Sequence, residues 1–259
     1  MEKFKFKKHF GQNFLTDTNI LNKIIKAITP SEKDLIIEIG AGGGALTKEL
    51  KKYNCQVLSY EIDLDTQKYL EPLIDEKTTI IFDDFLKRNV PQDLANLSFE
   101  NTYIIANLPY YITTPIIEKI IKTNIKPKKM LLMVQKEVAE RLSAVPGTRD
   151  YGFITVYLNY YFKINKLFNV NKCCFFPIPK VDSAIIELTS HQEYADVDET
   201  KLTELLKAAF KHKRKNLNNN LQNYDKEKVS SILLKSGYSL SSRAEELSIE
   251  VFVEITNAL

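Results

Sequence analysis

Tryptophan is absent from this chain of 259 residues, and cysteine, histidine and methionine occur three times each. Cys55, Cys173 and Cys174 are too few for a disulfide framework, and with no C-x-x-C pair or nearby histidine pair they do not make a zinc site, so no metal is expected. No stretch approaches the ~18 consecutive apolar residues of a membrane helix. Met1 to Lys8 carries four lysines, but the apolar run of about 7–15 residues that completes a secretory signal does not follow. These absences predict a cytoplasmic protein in a reducing compartment, with no membrane partner. Charge of one sign is also scarce: the formal net charge is +3, so any basic binding site must be local. Apolar residues at 44% and charged residues at 27% are ordinary for a folded protein and exclude disorder or a fibre. At roughly 150 residues per domain, the length allows one large domain and one small one.

From about Leu35 to Leu188 short β-rich runs alternate with helical patterns, the signature of βα units feeding a mostly parallel sheet. Strands are predicted at 35–39, 56–60, 79–82, 103–106, 130–134 and 184–188. Helices are predicted at 45–52, 64–71, 113–123 and 136–143. Phe153 to Phe162 reads as strand by its β-branched and aromatic residues and as helix by its length. Residues 191–200 carry four acids and no base, which predicts a solvated linker; beyond it 202–210, 226–235 and 244–258 read as helices. One α/β domain over 1–190 and a small all-α domain over 191–259 are therefore expected.

Glu38-Ile39-Gly40-Ala41-Gly42-Gly43-Gly44-Ala45 falls between a predicted strand and a predicted helix, where glycine lets the backbone turn and approach a ligand closely. Gly40, Gly42 and Ala45 satisfy the pattern G-x-G-x-x-G/A, and Glu61 ends the next strand about 20 residues on, where a carboxylate accepts ribose hydroxyls. Together they imply an adenosine-containing cofactor at the carboxyl edge of the sheet, a nicotinamide dinucleotide included. Phe82-Asp83-Asp84-Phe85 then places an acid at the end of the third strand, suited to the exocyclic amine of an adenine. With Glu38 ahead of the glycines, this set of acids resembles that of S-adenosylmethionine (AdoMet) methyltransferases, since a sulfonium cation tolerates acids that would repel a pyrophosphate.

Asn107-Leu108-Pro109-Tyr110 follows the fourth strand and projects from the same edge. It is similar to the (Asp/Asn)-x-Pro-(Tyr/Phe/Trp) motif of methyltransferases that modify exocyclic amino nitrogens. The lone pair of an adenine N6 is delocalised into the ring. Two acceptors on its hydrogens, the Asn107 amide oxygen and the Leu108 carbonyl, would localise that pair and stabilise the positive charge that grows on nitrogen. Pro109 would fix the loop, and Tyr110 would offer a face to a flipped base.

Five separated blocks carry a more specific resemblance: Lys8 to Leu15 (KHFGQNFL), Asn107 to Pro115 (NLPYYITTP), Met133 to Ala139 (MVQKEVA), Phe176 to Ala184 (FPIPKVDSA) and Arg243 to Ser248 (RAEELS). Over essentially the whole chain they resemble the KsgA/RsmA family of 16S ribosomal RNA adenine N6,N6-dimethyltransferases. Tyr111, where the family often has Asn, and His9, where Arg or Ser is common, depart from its pattern. The resemblance implies a Rossmann-like class I AdoMet-dependent methyltransferase, with a mostly parallel seven-stranded sheet flanked by helices and a small all-α C-terminal domain that binds rRNA. It further implies that residues 1–30 close over the cofactor site, with Asn13 and Leu15 at the methionine end and Gly40 and Gly42 beneath. Glu61 would hold the ribose, Asp84 the adenine amine, and Asn107 both cofactor and target base, while Phe176 would stack on the target's other face. The expected substrate is the 3′-terminal hairpin of 16S rRNA in an immature 30S subunit, modified at two adjacent adenines by a monomer. Thr113-Thr114-Pro115 and the blocks at 10–15 and 179–183 favour this family over the related Erm enzymes of 23S rRNA. Intact Asn107, Tyr110 and Glu61 speak against a non-catalytic RNA-binding assembly factor.

Lys207 to Asn216 holds five bases and His212 with no acid. Lys211, Lys213, Arg214 and Lys215 there, with Lys7 and Lys8 at the N-terminus, are expected to bind RNA phosphates, giving affinity that falls with salt.

Overall fold

The computed structural model describes Lys7 and residues 12–108, 112–123 and 125–259. A short strand, β1 (Phe14–Leu15), leads to the helix α1 (Thr18–Ile28). Asp17 caps α1, its carboxylate accepting from the N–H groups of Asn19 and Ile20, which have no partner within the helix. Leu21, Ile24, Ile25 and Ile28 repeat at helical spacing and form its buried face. Alternating units follow: β2 (Asp34–Ile39), α2 (Ala45–Lys51), β3 (Gln56–Tyr60), α3 (Gln67–Leu70), β4 (Thr78–Ile81), α4 (Val90–Leu94), β5 (Asn101–Asn107), α5 (Thr113–Lys122), β6 (Lys129–Gln135) and α6 (Lys136–Leu142). Then come α7 (Phe153–Tyr161), β7 (Phe162–Val170), β8 (Phe175–Phe176), β9 (Ser183–Ser190), α8 (Glu199–Ala209), α9 (Leu217–Asn220), α10 (Lys226–Lys235) and α11 (Ile249–Ala258).

Seven strands form one sheet in the order β4-β3-β2-β5-β6-β9-β7, and β1 pairs with β8 in a separate two-stranded ribbon. The first five strands of that order run parallel, and β9 runs antiparallel to β6. All six residues of β2 are buried, as expected of a parallel strand covered on both faces, and its near-continuous apolar run made it readable. Chain order reverses at β2, which has β3 on one side and β5 on the other, and the crevice beyond the carboxyl ends at such a switch point is where open α/β sheets bind ligands. Ile39 pairs with Tyr60 on one side and with Ala106 on the other. The next residue of each strand's run, Gly40, Glu61 and Asn107, therefore emerges at one level of one edge.

The chain divides into two compact units, one formed by the chain up to Ala139 with Asn165–Ser190, the other by Glu140–Ile164 with His191–Leu259. This differs from a single boundary at 190. Tyr151 and Val156 are buried in one apolar cluster with Leu202, Leu205, Leu206, Phe252 and Ile255, so 140–164 packs with the C-terminal helices. The ambiguous run at 153–162 resolves into the helix α7, followed directly by the strand β7. Nor is 191–200 a solvated linker throughout. The His191 N–H bonds the Tyr161 carbonyl at 3.2 Å, the Tyr194 ring stacks on Tyr160, and the Tyr194 hydroxyl donates to Glu250 at 2.8 Å. The helix expected over 244–258 is broken, with a 3-10 turn at Ala244–Glu246 and α11 beginning only at Ile249.

Gly44 at the N-cap of α2 has φ +76°, and a Cβ there would stand 2.6 Å from Leu73 Cδ1 and 3.0 Å from Leu70 Cδ2. Gly44→Ala combines left-handed backbone strain, about 1–3 kcal/mol, with overpacking. Gly237 shares the positive φ but has nothing within 4 Å of such a Cβ. Denaturant unfolding is expected to show a larger loss for Gly44→Ala than for Gly237→Ala; equal losses would contradict the packing argument.

Candidate active site

The crevice beyond β2, β3, β4 and β5 holds a cavity of about 430 Å³, within the usual range for a small-molecule site. Its polar lining includes the glycine turn, Glu38, Glu61, Asp83, Asp84 and Asn107, and its apolar lining includes Leu15, Ile62, Phe85 and Leu108. Gly40 takes φ +83°, and a Cβ on it would lie 3.2 Å from the Asn107 carbonyl oxygen. Glycine there lets the turn after β2 approach the end of β5 closely.

Glu61 is buried, and its carboxylate accepts from the backbone N–H of Gly42 at 2.6 Å and of Asp63 at 2.8 Å. Burial pushes its carboxyl above the usual value, while those two amides pull the other way. A carboxylate offers about four lone-pair sites, so Glu61 retains capacity for hydroxyl donors. Asp84 caps the 3-10 turn at Phe85–Lys87, its Oδ1 accepting from the Leu86 N–H at 3.0 Å. Asp83 instead pairs with Arg88, at 3.4 Å. The Asn107 side-chain nitrogen donates to the Asn13 carbonyl at 3.3 Å, which fixes the orientation of the amide.

Asn13, Leu15, Gly40, Gly42, Glu61, Asp84, Asn107 and Leu108 thus all line one cavity. Phe176 does not line it. The residue is 61% exposed, on β8, in register with Phe14 of β1. Pro109, Tyr110 and Lys8 lie outside the described residues. Glu38, counted on sequence among the cofactor acids, also lines the cavity, and its Oε2 accepts the hydroxyls of Thr47 and Ser59, both at 2.6 Å. It is buried, which pushes its carboxyl up, and it ties β2 to α2 and β3. Lys7, expected to meet phosphate, places its ammonium 2.5 Å from Asp63 and 2.8 Å from Asp65. Lys211, Arg214 and Lys215 are exposed after the end of α8, and the exposed Lys213 donates to the Arg149 carbonyl at 2.8 Å.

Gln12 and Phe14 fall within the block at 8–15 without a role assigned from it, and Ile62 and Asp63 belong to no motif. Phe14 lies over the glycine turn, 3.0 Å from where a Gly42 Cβ would stand, and Ile62 lines the cavity directly after Glu61. Residues flanking the motif residues were the available signal, but apolar neighbours of a motif look like ordinary core.

The donor and acceptor set suits an adenosine linked to a cation: acids for hydroxyls and an amine, backbone N–H groups at a glycine turn, and, among the described residues, no lining cation to hold a pyrophosphate. Comparison with known proteins agrees. The family model described as ribosomal RNA adenine dimethylase matches residues 3–259. Ribosomal RNA small subunit methyltransferase A of Bacillus cereus (strain B4264) is 40% identical over 273 residues, covering 99% of this chain and 92% of the relative. The protein of the same name from Bacillus cytotoxicus is equally similar, with the same coverage. Among solved structures, a dimethyladenosine transferase from Plasmodium falciparum superposes with a TM-score of 0.77 at 26% identity, over 93% of this chain and 95% of that one. The 23S rRNA methyltransferase ErmE shares the fold, with a TM-score of 0.73 at 24% identity over 95% of this chain and 99% of that one. The chain therefore belongs to the ribosomal RNA adenine dimethylase family, as an AdoMet-dependent rRNA adenine methyltransferase of the Rossmann-like class I fold.

Proposed function

We propose that this protein dimethylates the N6 amino groups of two adjacent adenines in the 3′-terminal hairpin of 16S rRNA, acting as a cytoplasmic monomer on immature 30S subunits. The observation that carries the proposal is the meeting of Gly40, Glu61 and Asn107 around one cavity, in a chain 40% identical to proteins named ribosomal RNA small subunit methyltransferase A.

AdoMet, when bound, supplies an electrophilic methyl group on its sulfonium. Glu61 would hold the ribose hydroxyls and Asp84 the adenine amine, and Gly40, Gly42, Asn13 and Leu15, which line the same cavity, would enclose the rest of the cofactor. The Asn107 nitrogen is engaged by the Asn13 carbonyl, which presents the amide oxygen as the acceptor for a substrate amine. That oxygen and the Leu108 carbonyl draw on the two N6 hydrogens, localise the nitrogen lone pair and stabilise the charge that develops on it. The proton released after transfer goes to water, so no strong base is needed. Holding nitrogen and methyl in line contributes much of the remaining acceleration. Phe176, exposed beside β1, offers the target base a stacking face together with Tyr110. The basic run at 211–215 binds the RNA backbone, and single-stranded loop bases supply recognition.

The test uses immature small subunits that lack the modification and methyl-labelled AdoMet. Label is expected in small-subunit RNA, and Asn107→Ala is expected to lower the rate about 10²–10³-fold with its melting temperature unchanged. Small-subunit RNA left unlabelled, while large subunits offered in a parallel reaction take up label, would overturn the proposal. Phe176→Ala is expected to cost about 1–3 kcal/mol of stacking, read as lower kcat/KM for RNA with unchanged AdoMet affinity. Replacing Lys211, Arg214 and Lys215 by alanine is expected to flatten the slope of log affinity against log salt, by about 0.7–0.9 for each phosphate that is no longer neutralised; an unchanged slope would remove this run from the interface.

A further inference from the structure

Lys7 and Gln12 both end on the carboxylate of Asp63, which is remote from them in sequence. The Asp63 side chain is fully buried. Its Oδ1 accepts from the Lys7 ammonium at 2.5 Å and from the Asp65 N–H at 3.1 Å, and its Oδ2 accepts from the Gln12 side-chain amide at 2.5 Å. The Lys7 backbone N–H closes the loop on Gln12 Oε1 at 2.8 Å. Neither strand order nor core packing requires this arrangement, because Asp63 lies beyond the end of β3.

The bonds of Asp63 also run inward. Its own N–H donates to Glu61 Oε1 at 2.8 Å, and Glu61 Oε2 receives the Gly42 N–H. One acid thus joins the N-terminal segment to the residue proposed for the ribose and, through it, to the glycine turn. On its other side the segment is fastened at β8: Phe14 and Leu15 pair with Phe176 and Phe175, and the Thr16 N–H and hydroxyl both bond the Cys174 carbonyl, at 2.9 and 3.0 Å. Between the two fastenings Asn13 meets Asn107, and Phe14 covers Gly42 and Gly43. Residues 12–16 line the cavity as a strap, with Lys7 fastened to the same acid as Gln12.

We infer that Asp63 is a positioning residue for AdoMet: it holds the strap shut over the bound cofactor through Lys7 and Gln12, and so sets how fast AdoMet leaves. The inference rests on the proposed closure of Asn13 and Leu15 over the cofactor. A ribbon of two residues per strand is marginal by itself, so the Asp63 end carries much of the closure. Burial alone would push the Asp63 carboxyl up, but the Lys7 and Gln12 bonds outweigh it and hold the group below its usual value, charged at neutral pH. Opening the strap removes both partners from a buried carboxylate, which is costly, so the closed arrangement is favoured over half-open ones.

AdoMet binding is measured by calorimetry and stopped flow without RNA, on the full chain, for Asp63→Asn and for Lys7→Met, whose side chain is partly exposed and whose loss the fold will tolerate. Each is expected to raise the dissociation constant about tenfold, the scale of one charge-assisted hydrogen bond. The change is expected in the dissociation rate, and in methyl transfer it appears in the KM for AdoMet rather than in kcat. The double variant should be no worse than the weaker single one, because both remove the same link. Asp63→Glu, which keeps the charge, should recover part of the affinity. AdoMet affinity within twofold of the parent in both single variants, or additive losses in the double, would overturn the inference. Leu15→Ala separates the two levels. If it weakens AdoMet while Asp63→Asn and Lys7→Met do not, the strap closes but Asp63 does not hold it; if none of the three matters, closure over the cofactor fails as well.

Discussion

Glu38, Glu61 and Asp63 are buried at or just beyond the carboxyl ends of β2 and β3, and the cavity takes its shape from how each is satisfied. Among the described residues, Asp63 alone of the three has a cation as partner. Glu38 relies on two hydroxyls and Glu61 on two backbone N–H groups, one of them from the glycine turn. Buried carboxylates without such donors would be prohibitively unstable, so these bonds dictate local structure: the hydroxyls fix α2 against β2, the turn is drawn toward β3, and the N-terminal segment is drawn across the mouth. The Glu61 carboxylate that braces the turn is the one proposed to take the ribose hydroxyls.

The same acids bear on selectivity. A pocket rich in carboxylate and backbone N–H repels the diphosphate of a dinucleotide and accepts a nucleoside carrying positive charge. This explains how a turn that satisfies G-x-G-x-x-G/A belongs to an AdoMet enzyme. The overall charge of +3 conceals a division of labour, with acids concentrated around the cavity of one compact unit and an exposed basic run in the other.

The parts of the fold that were legible in the sequence are those whose pattern is local. The runs at 35–39 and 56–60 are short, mostly apolar segments stopped by glycine or by an acid, and they match β2 and β3 within one residue. Asp17 followed by Leu21, Ile24, Ile25 and Ile28 carried an equally local signal for α1, which a reading intent on the alternating strands passes over. The edge strand β7, with Lys163 and Lys166 exposed, lacks a buried-strand pattern because it is covered on fewer sides. The motif residues were legible as a set because the parallel register carries Gly40, Glu61 and Asn107 to one edge. Asp63 was not: its partners lie 51 and 56 residues away, and a single acid in a loop carries no sign of burial. The same holds for 140–164, whose place is decided by packing with helices that begin only at residue 199.

The central claim is that this edge brings AdoMet and an rRNA adenine amine together for two successive transfers. Its most direct measurement is mass spectrometry of nucleosides from unmodified small subunits incubated with the protein and AdoMet. The account predicts N6,N6-dimethyladenosine at two adjacent positions of the 3′-terminal hairpin, with four methyl groups added per particle. Monomethyladenosine as the end product, or methylation at another site or on another base, would contradict it.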